Sequence, residues 1–351
     1  MSCIRFLTWV GLCVALVCGA ARAQGFGNYE HFPVPAAGSF GIVGAALEDG
    51  RLLLWNGDTV YLQFAPGADS FSPVGSGYVG DPGFLIPFPN GNDFLLGAGF
   101  GGNLYRFNPG EPADYSPAAL IGSVSHYAAA FLSDELLLLD VGTFDPETFE
   151  TGSQLVTFDL SGAKAGITPV VTKGPEYFSS DAKTVDKPDG AYSSSVFTDT
   201  ANGIVYAMDG NTTELRRFSV AALVNAHNTA ADLDWAADGT LVGDPGDFLS
   251  GGVSAIDVSG RLVIAGFGGV QFVAPSLGNP ANAAVVETLA PAGSFEFYSV
   301  IYNPYFDSII TRIFNGDVQT QEETLVNVPA LGLTGLGILT MLLAGVALKR
   351  R

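Results

Sequence analysis

Residues 51–64 read RLLLWNGDTVYLQF: two apolar runs, RLLLW (51–55) and TVYLQF (59–64), set apart by Asn56-Gly57-Asp58. Each run is short and rich in Leu, Val and aromatic side chains, which suits a strand better than a helix. The separator is a turn signal, because Asn, Gly and Asp accept the backbone conformations that end a strand. The same grammar recurs in FLL (94–96), NLYRF (103–107), ELLLLDV (135–141), QLVTFDL (154–160), GIVYAM (203–208), RLVIA (261–265) and SIITRIF (308–314). One stretch breaks it. VAALVNAH (220–227) has helical spacing and is expected to form a short helix within a connection.

The order of the runs also repeats. A run with small residues precedes a strongly apolar one; a third, of the form apolar-x-Phe-x-Pro/Asp/Ser, follows, and a looser fourth ends the unit. The third runs centre on Phe64, Phe107, Phe158, Phe218 and Phe272, spaced 43, 51, 60 and 54 residues apart. Four-stranded propeller blades repeat every ~40–50 residues, and the longer intervals hold insertions such as GTFDPETFET (142–151). Five units lay out at 40–76, 83–123, 126–174, 194–242 and 251–291, and a sixth begins near Phe295. The sixth lacks a convincing fourth strand, which YEHFPV (29–34) is expected to supply from the N-terminal side. That arrangement closes a ring and pairs edges that would otherwise template aggregation. The expected fold class is all-β, a β-propeller of six blades, with seven blades, paired β-sandwiches or a β-solenoid as the alternatives. Neither a Trp-Asp nor a kelch Gly-Gly signature is present.

The two ends have a different character. Residues 1–23 carry Arg5, an apolar stretch FLTWVGLCVALVCG (6–19) and then Ala21-Arg22-Ala23, the three zones of a signal peptide. Ala21 and Ala23 are the small residues a signal peptidase accepts, and Gln24 is expected to begin the mature chain. The apolar stretch is 14 residues, short of the ~20 a spanning helix needs. Residues 328–348 contain no ionisable group, reach about 31 Å as a helix, and are followed at once by Lys349, Arg350 and Arg351. One C-terminal transmembrane helix is expected there, with the basic triplet held on the cytoplasmic side. The resulting division is a signal peptide at 1–23, an extracytoplasmic propeller-like domain at 24–327 and a C-terminal sorting segment at 328–351.

Val328-Pro329-Ala330-Leu331, a Gly-studded apolar helix and the terminal Lys-Arg-Arg resemble the tripartite sorting signals of Gram-negative bacteria, the IPTL-type signal above all, a relative of the PEP-CTERM class. Val328, Pro329 and Leu331 match the short motif and Gly335 the glycine that follows it. Ala330 stands where that family has Thr, Thr334 where it has Trp, and no Pro-Glu-Pro is present. The resemblance implies a membrane protease of the exosortase or rhombosortase kind as a partner, cutting near the motif and passing the body to the cell surface. A plain anchor in the inner membrane is the alternative.

Charge narrows the partners further. All 35 acidic residues lie in the body, whereas five of the 15 basic ones lie in the two ends, so the body carries a net charge of −25. Such a surface repels nucleic acid and anionic headgroups, whose binding depends on Lys and Arg neutralising phosphates. Cys3, Cys13 and Cys18 all fall in the signal, which leaves the body neither disulfides nor thiolate metal ligands.

No Gly-x-Ser-x-Gly elbow, His-Glu-x-x-His or phosphate loop appears, and GAGFGG (97–102) lies between strand-like runs, as a turn would. His31, His126 and His227 have no metal-ligand spacing. Two acidic groups invite a calcium reading: Asp140, Asp145, Glu147 and Glu150 in one insertion, and Asp232, Asp234 and Asp238 before Gly239. Calcium takes six to eight oxygens from flexible loops, but in the second group two extra residues spoil the EF-hand register and no Glu stands at the needed distance, and for each group a solvated acidic loop is the competing explanation. No catalytic residue and no cofactor is assigned. The function expected is that of an exported, membrane-anchored or surface-sorted non-enzymatic protein, with a role in the cell surface, the extracellular matrix or the recognition of a glycan or surface protein. The alternative is a calcium-dependent propeller hydrolase or lactonase.

Overall fold

Leucine runs become buried on both faces, and that organises the architecture. The computed structural model describes residues 24–31, 43–68, 70–80, 82–98, 103–110, 119–123, 128–144, 151–160, 173–179, 195–208, 214–243, 251–266, 269–274, 284–289, 297–313 and 318–325. Residues 28–322 form one compact unit, with 1–27 and 323–351 grouped apart from it. The described strands make six four-stranded sheets.

After β1 (Gln24–His31), the first sheet holds β2 (Val43–Ala46), β3 (Leu52–Trp55), β4 (Thr59–Gln63) and β5 (Phe71–Ser76). The second holds β6 (Pro82–Pro87), β7 (Phe94–Ala98), β8 (Asn103–Phe107) and β9 (Ala119–Ser123). The third holds β10 (Ala128–Phe131), β11 (Leu136–Phe144), β12 (Thr151–Asp159) and β13 (Lys173–Ser179). The fourth holds β14 (Ser195–Asp199), β15 (Ile204–Met208), β16 (Leu215–Ser219) and β17 (Thr240–Leu241), with helices α1 (Val220–Thr229) and α2 (Trp235–Asp238) between its last two strands. The fifth holds β18 (Gly251–Ile256), β19 (Leu262–Gly266), β20 (Gly269–Ala274) and β21 (Ala284–Leu289). The sixth runs β22 (Phe297–Asn303), β23 (Ser308–Ile313), β24 (Val318–Leu325) and then β1. Consecutive strands within each sheet pair antiparallel, as in the register Leu137↔Phe158 and Leu139↔Val156. The fold is all-β and propeller-like, with few helices.

Why the second strand of each unit is so apolar is now plain. Successive side chains of a strand point to opposite faces, and here both faces are covered. Leu52 and Leu54 pack with Ile301 of the sixth sheet, while Leu53 and Trp55 pack with Leu85, Leu96 and Phe107 of the second. Leu137 and Leu139 face Leu95 and Phe84 of the second sheet; Leu136 and Leu138 face Val196 and Val205 of the fourth. Each fully buried Leu stabilises by about 1.5–3 kcal/mol. The core is thus a series of seams between neighbouring sheets.

The first strands set the sequence of neighbours. β2 lies against β6, β6 against β10, β10 against β14, β14 against β18, β18 against β22, and β22 against β2. At the last of these contacts Gly44 is required for space: a Cβ there would meet Ile301 Cδ1 and the Leu53 carbonyl at 2.6 Å.

The units expected from the sequence follow the sheets to within a few residues, and the helical patch forms α1. Three details differ. The N-terminal strand in the sixth sheet is Gln24–His31 and so begins five residues before the expected 29–34, of which residues 32–34 lie outside the described residues. Phe64 is not at the centre of a third strand, because β4 ends at Gln63. Gln63 takes the inward place instead, its Oε1 accepting from Leu52 N at 3.0 Å and its Nε2 donating to Ala68 O at 2.8 Å. The third difference concerns β11, which runs on through Phe144, so that the insertion expected at 142–151 is partly strand.

Candidate functional site

The turns between first and second strands share a local chemistry. An Asp or Asn side chain accepts from a backbone N–H two to four residues further on, a motif that fixes a tight turn. Asp49 Oδ1 accepts from Arg51 N at 3.0 Å, Asp199 Oδ1 from Asn202 N at 3.1 Å, Asp257 Oδ1 from Ser259 N at 2.9 Å and Asn303 Oδ1 from Tyr305 N at 3.0 Å. Gly50, Gly91, Gly203, Gly260 and Asp307 take positive φ in these turns. The sequence signal lies in Asp49-Gly50-Arg51 and Ser259-Gly260-Arg261, each directly before an apolar run.

These turns are tied to one another across sheets. Asn303 Nδ2 donates to Gly50 O at 2.9 Å, joining the sixth sheet to the first. Tyr302 Oη accepts from Val258 N at 2.8 Å and donates to Asp307 Oδ1 at 2.7 Å, joining the fifth to the sixth. Asn90 donates to Asp134 between the second and the third. Burial, and then the Asp307 carboxylate, push the Tyr302 hydroxyl well above its ordinary pKa.

At the seam of the first and sixth sheets this face becomes apolar and exposed. The Tyr305 ring lies on Gly50, where a Cβ would come within 2.6 Å of it. Phe306 stands nearly perpendicular to Tyr305, centroids 4.8 Å apart at 78°, and a Cβ on Gly67 would touch Phe306 Cζ at 3.7 Å. Gly67 belongs to the turn that begins at Phe64. Exposure reaches 76% at Phe64, 62% at Tyr305 and 37% at Phe306. On either side of Gly50 in the chain, Arg51 Nε pairs with Asp49 Oδ2 at 2.7 Å, both side chains part-exposed. The Asp49 carboxyl is held below its ordinary value: slight burial raises it, and the Arg51 amide and guanidinium outweigh that. This is the one place among the described residues where large aromatic side chains cluster in the open. It offers ring faces and a paired donor and acceptor, and no nucleophile with a base.

The acidic group at 232–238 serves a structural purpose. Asp234 caps α2, its Oδ1 accepting from Ala236 N at 2.9 Å and Ala237 N at 2.7 Å, and Asp238 Oδ2 accepts in return from Asp234 N at 2.7 Å. One oxygen of Asp234 and one of Asp238 are thus given to backbone amides. Of the other acidic group, Asp140 is buried in β11, and Asp145, Glu147 and Glu150 lie outside the described residues. Among the described residues no group of three or more His, Cys, Asp or Glu could hold a metal ion. His227 Nδ1 lies 2.8 Å from Thr157 Oγ1, linking α1 to β12 of another sheet. His31 falls in β1, and His126 lies outside the described residues. Gln24 is the first residue of β1. Ala21, Ala23, Val328, Pro329, Ala330, Leu331, Gly335, Lys349, Arg350 and Arg351 lie outside the described residues. No helix among the described residues is long and apolar enough to cross a membrane.

A third polar arrangement anchors α2. Arg216 donates to both oxygens of Glu214, at 2.9 and 2.7 Å, and to Gly239 O at 2.8 Å, while Trp235 Nε1 donates to Glu214. The Arg216 guanidinium holds the Glu214 carboxyl below its ordinary value against the opposing effect of burial, with the indole helping. A depressed folded-state pKa means stability that is complete above the ordinary value of 4.5 and lost as pH falls through the folded one. A Glu214→Gln variant is expected to lose about 1–2 kcal/mol at pH 7. The gap to the unmodified protein should close as urea melts are repeated at progressively lower pH, below 4.5.

No family model matches the chain, and no curated protein matches it. Solved structures resemble its fold. A mitotic checkpoint complex has a chain that matches with a TM-score of 0.49 at 9% identity, over 84% of this chain and 93% of that one. A nidogen/laminin complex matches with a TM-score of 0.47 at 8% identity, over 72% and 81%. A luciferin-regenerating enzyme matches with a TM-score of 0.47 at 13% identity, over 85% and 95%.

Proposed function

We propose that this chain is an exported six-bladed β-propeller, anchored in the inner membrane or sorted to the cell surface, that recognises a ligand without catalysis. The observation that carries the recognition reading is the exposed aromatic seam of Phe64, Tyr305 and Phe306, in a protein whose other large aromatics among the described residues are mostly buried. Exposed apolar clusters in a turn face mark interaction sites. Six blades are supported by the cyclic succession of first strands from β2 to β22 and back to β2. The placement of β1 beside β24 supports closure by the N-terminal strand. Export and sorting rest on the two ends of the sequence and on the body's charge of −25 without cysteine. The buried carboxylates of Asp93 and Asp257 are engaged by Arg106 and Arg261 of their own sheets, a structural use that favours recognition over a calcium-dependent hydrolase.

Protease treatment of intact cells producing the full chain tests this reading. A surface-sorted body should be degraded from outside, an inner-membrane-anchored one only once the outer membrane is permeabilised, and in either case mass spectrometry should find Gln24 at the N-terminus. A full-length chain protected in the cytosol would overturn it. Stoichiometric calcium resisting dialysis would turn the case toward the hydrolase.

A further inference from the structure

We propose that the seam of the first and sixth sheets is a binding site for a neutral oligosaccharide, with Tyr305 and Phe306 as its stacking rings and the Asp49–Arg51 pair as its hydroxyl-reading group. The inference rests on the recognition reading and names its ligand class.

The argument starts from the rings. Tyr305 and Phe306 stand edge to face at 78°, so together they present one ring face and one ring edge in a corner. That shape suits a sugar ring, whose C–H-bearing face packs on an aromatic face while its rim of hydroxyls stays polar. An amphipathic helix needs a longer groove with anchors repeating along it. An added strand needs an unpaired sheet edge, and these rings sit in turns. Tyr305 also brings an apolar body with a polar tip, the combination used where one end of a contact is dry and the other wet.

The polar partner is next to it. Asp49 and Arg51 flank Gly50, on which the Tyr305 ring lies, and they hold each other at 2.7 Å with exposures of 51% and 32%. A fixed carboxylate beside a fixed guanidinium offers an acceptor and a donor together, which matches neighbouring hydroxyls on one sugar. Because the pair is held by its own ion pair and by the Arg51 N–H to Asp49 bond, little side-chain freedom remains to be lost on binding.

Charge selects among ligands. A body of net charge −25 disfavours acidic polysaccharides. A cationic ligand would find the Asp49 charge already neutralised by the Arg51 guanidinium, which leaves room for a hydroxyl donor and no net attraction for a cation. Arg51 itself would repel a cation. A neutral saccharide meets neither difficulty.

The purified full chain, kept in detergent micelles, is titrated with a neutral β-linked glucose hexasaccharide, a neutral mannose hexasaccharide and hexagalacturonate, and followed by calorimetry. At least one neutral sugar is expected to bind with a Kd of about 10 μM to 1 mM, and hexagalacturonate much more weakly. Tyr305→Ala and Arg51→Gln should each weaken binding about tenfold or more. Tyr305→Ala should leave the melting temperature within about 2 °C of the unmodified value, since the side chain is mostly exposed. Arg51→Lys, which keeps the charge and loses the planar fork, should recover only part of the affinity. No neutral sugar binding at 10-mM-scale concentration, or binding untouched by Tyr305→Ala, overturns the proposal. So does dimerisation in sedimentation experiments that Tyr305→Ala abolishes, because a second copy would then be the occupant. Surface exposure in the protease experiment is read independently, so loss of sugar binding alone leaves that reading standing.

Discussion

An Arg261→Met variant is expected to unfold with a stability lower by about 3–5 kcal/mol, because it strands a buried carboxylate. The Asp257 side chain is wholly buried and that of Arg261 is 12% exposed. Asp257 Oδ1 accepts from Ser259 N at 2.9 Å and Arg261 N at 2.8 Å, and its Oδ2 takes the guanidinium. That guanidinium also lies over the Phe272 ring, 4.7 Å from its centroid. Methionine keeps much of the packing volume and removes the charge and the donors, so what it measures is the orphaned carboxylate. Urea melts followed by circular dichroism should show the midpoint falling. The double variant Asp257→Asn/Arg261→Met should recover part of the loss, since an amide costs less to bury than a carboxylate. A loss below about 1 kcal/mol would mean that the turn reopens to water and that the pair contributes little.

The second large effect belongs to Phe107. Its ring is fully buried between the first and second sheets, edge-on to Tyr78 at 6.2 Å and 81°. It also fills the space over Gly75, where a Cβ would stand 2.8 Å from its Cε2. Phe107→Ala removes a whole ring and leaves a cavity the rigid strands close poorly, at a cost of about 3–5 kcal/mol. Phe107→Leu should cost appreciably less. The informative control is Phe64→Ala. Phe64 holds the same place in the sequence repeat but stands in solvent, so its loss should fall within about 0.5 kcal/mol. Equal losses at both positions would contradict the different placements of the two rings.

That pair of phenylalanines shows how far the repeat could be read. Alternation along a strand fixes which side chains share a face, and runs such as ELLLLDV announce strands buried on both faces. Unit boundaries followed from turn chemistry for the same reason. The exception at residues 63–64 depends on Gln63 finding Leu52 N and Ala68 O as partners, contacts between segments that no local pattern encodes. A glutamine is polar in any sequence reading. Only its partners make it an inward residue, and its turning inward places Phe64 outside.

The candidate site was hidden for a related reason. Phe64 and Tyr305 are 241 residues apart in a sequence where each looks like an ordinary strand or turn residue. Their turns meet because β22 returns to β2, which sets Phe306 against Gly67 of the turn that begins at Phe64. Likewise Asp232, Asp234 and Asp238 look alike as a string of carboxylates, and the direction of α2 decides that two of them serve backbone amides. The Asx turns were legible in principle, since an Asp or Asn with a Gly before four of the six second strands is a local signal with a local cause.

By itself the sequence determined the strand-rich character of the body, the period of its units, its acidity and its lack of cysteine. These are properties of neighbouring residues or of simple sums, and short-range sterics and hydrophobicity suffice to express them. Only the tertiary structure decided which phenylalanines are core and which are surface, which carboxylates are engaged, and that a seam between the first and last sheets opens an aromatic corner. Those outcomes depend on which segments distant in sequence come within a few ångströms, and burial and hydrogen bonding are settled by that proximity.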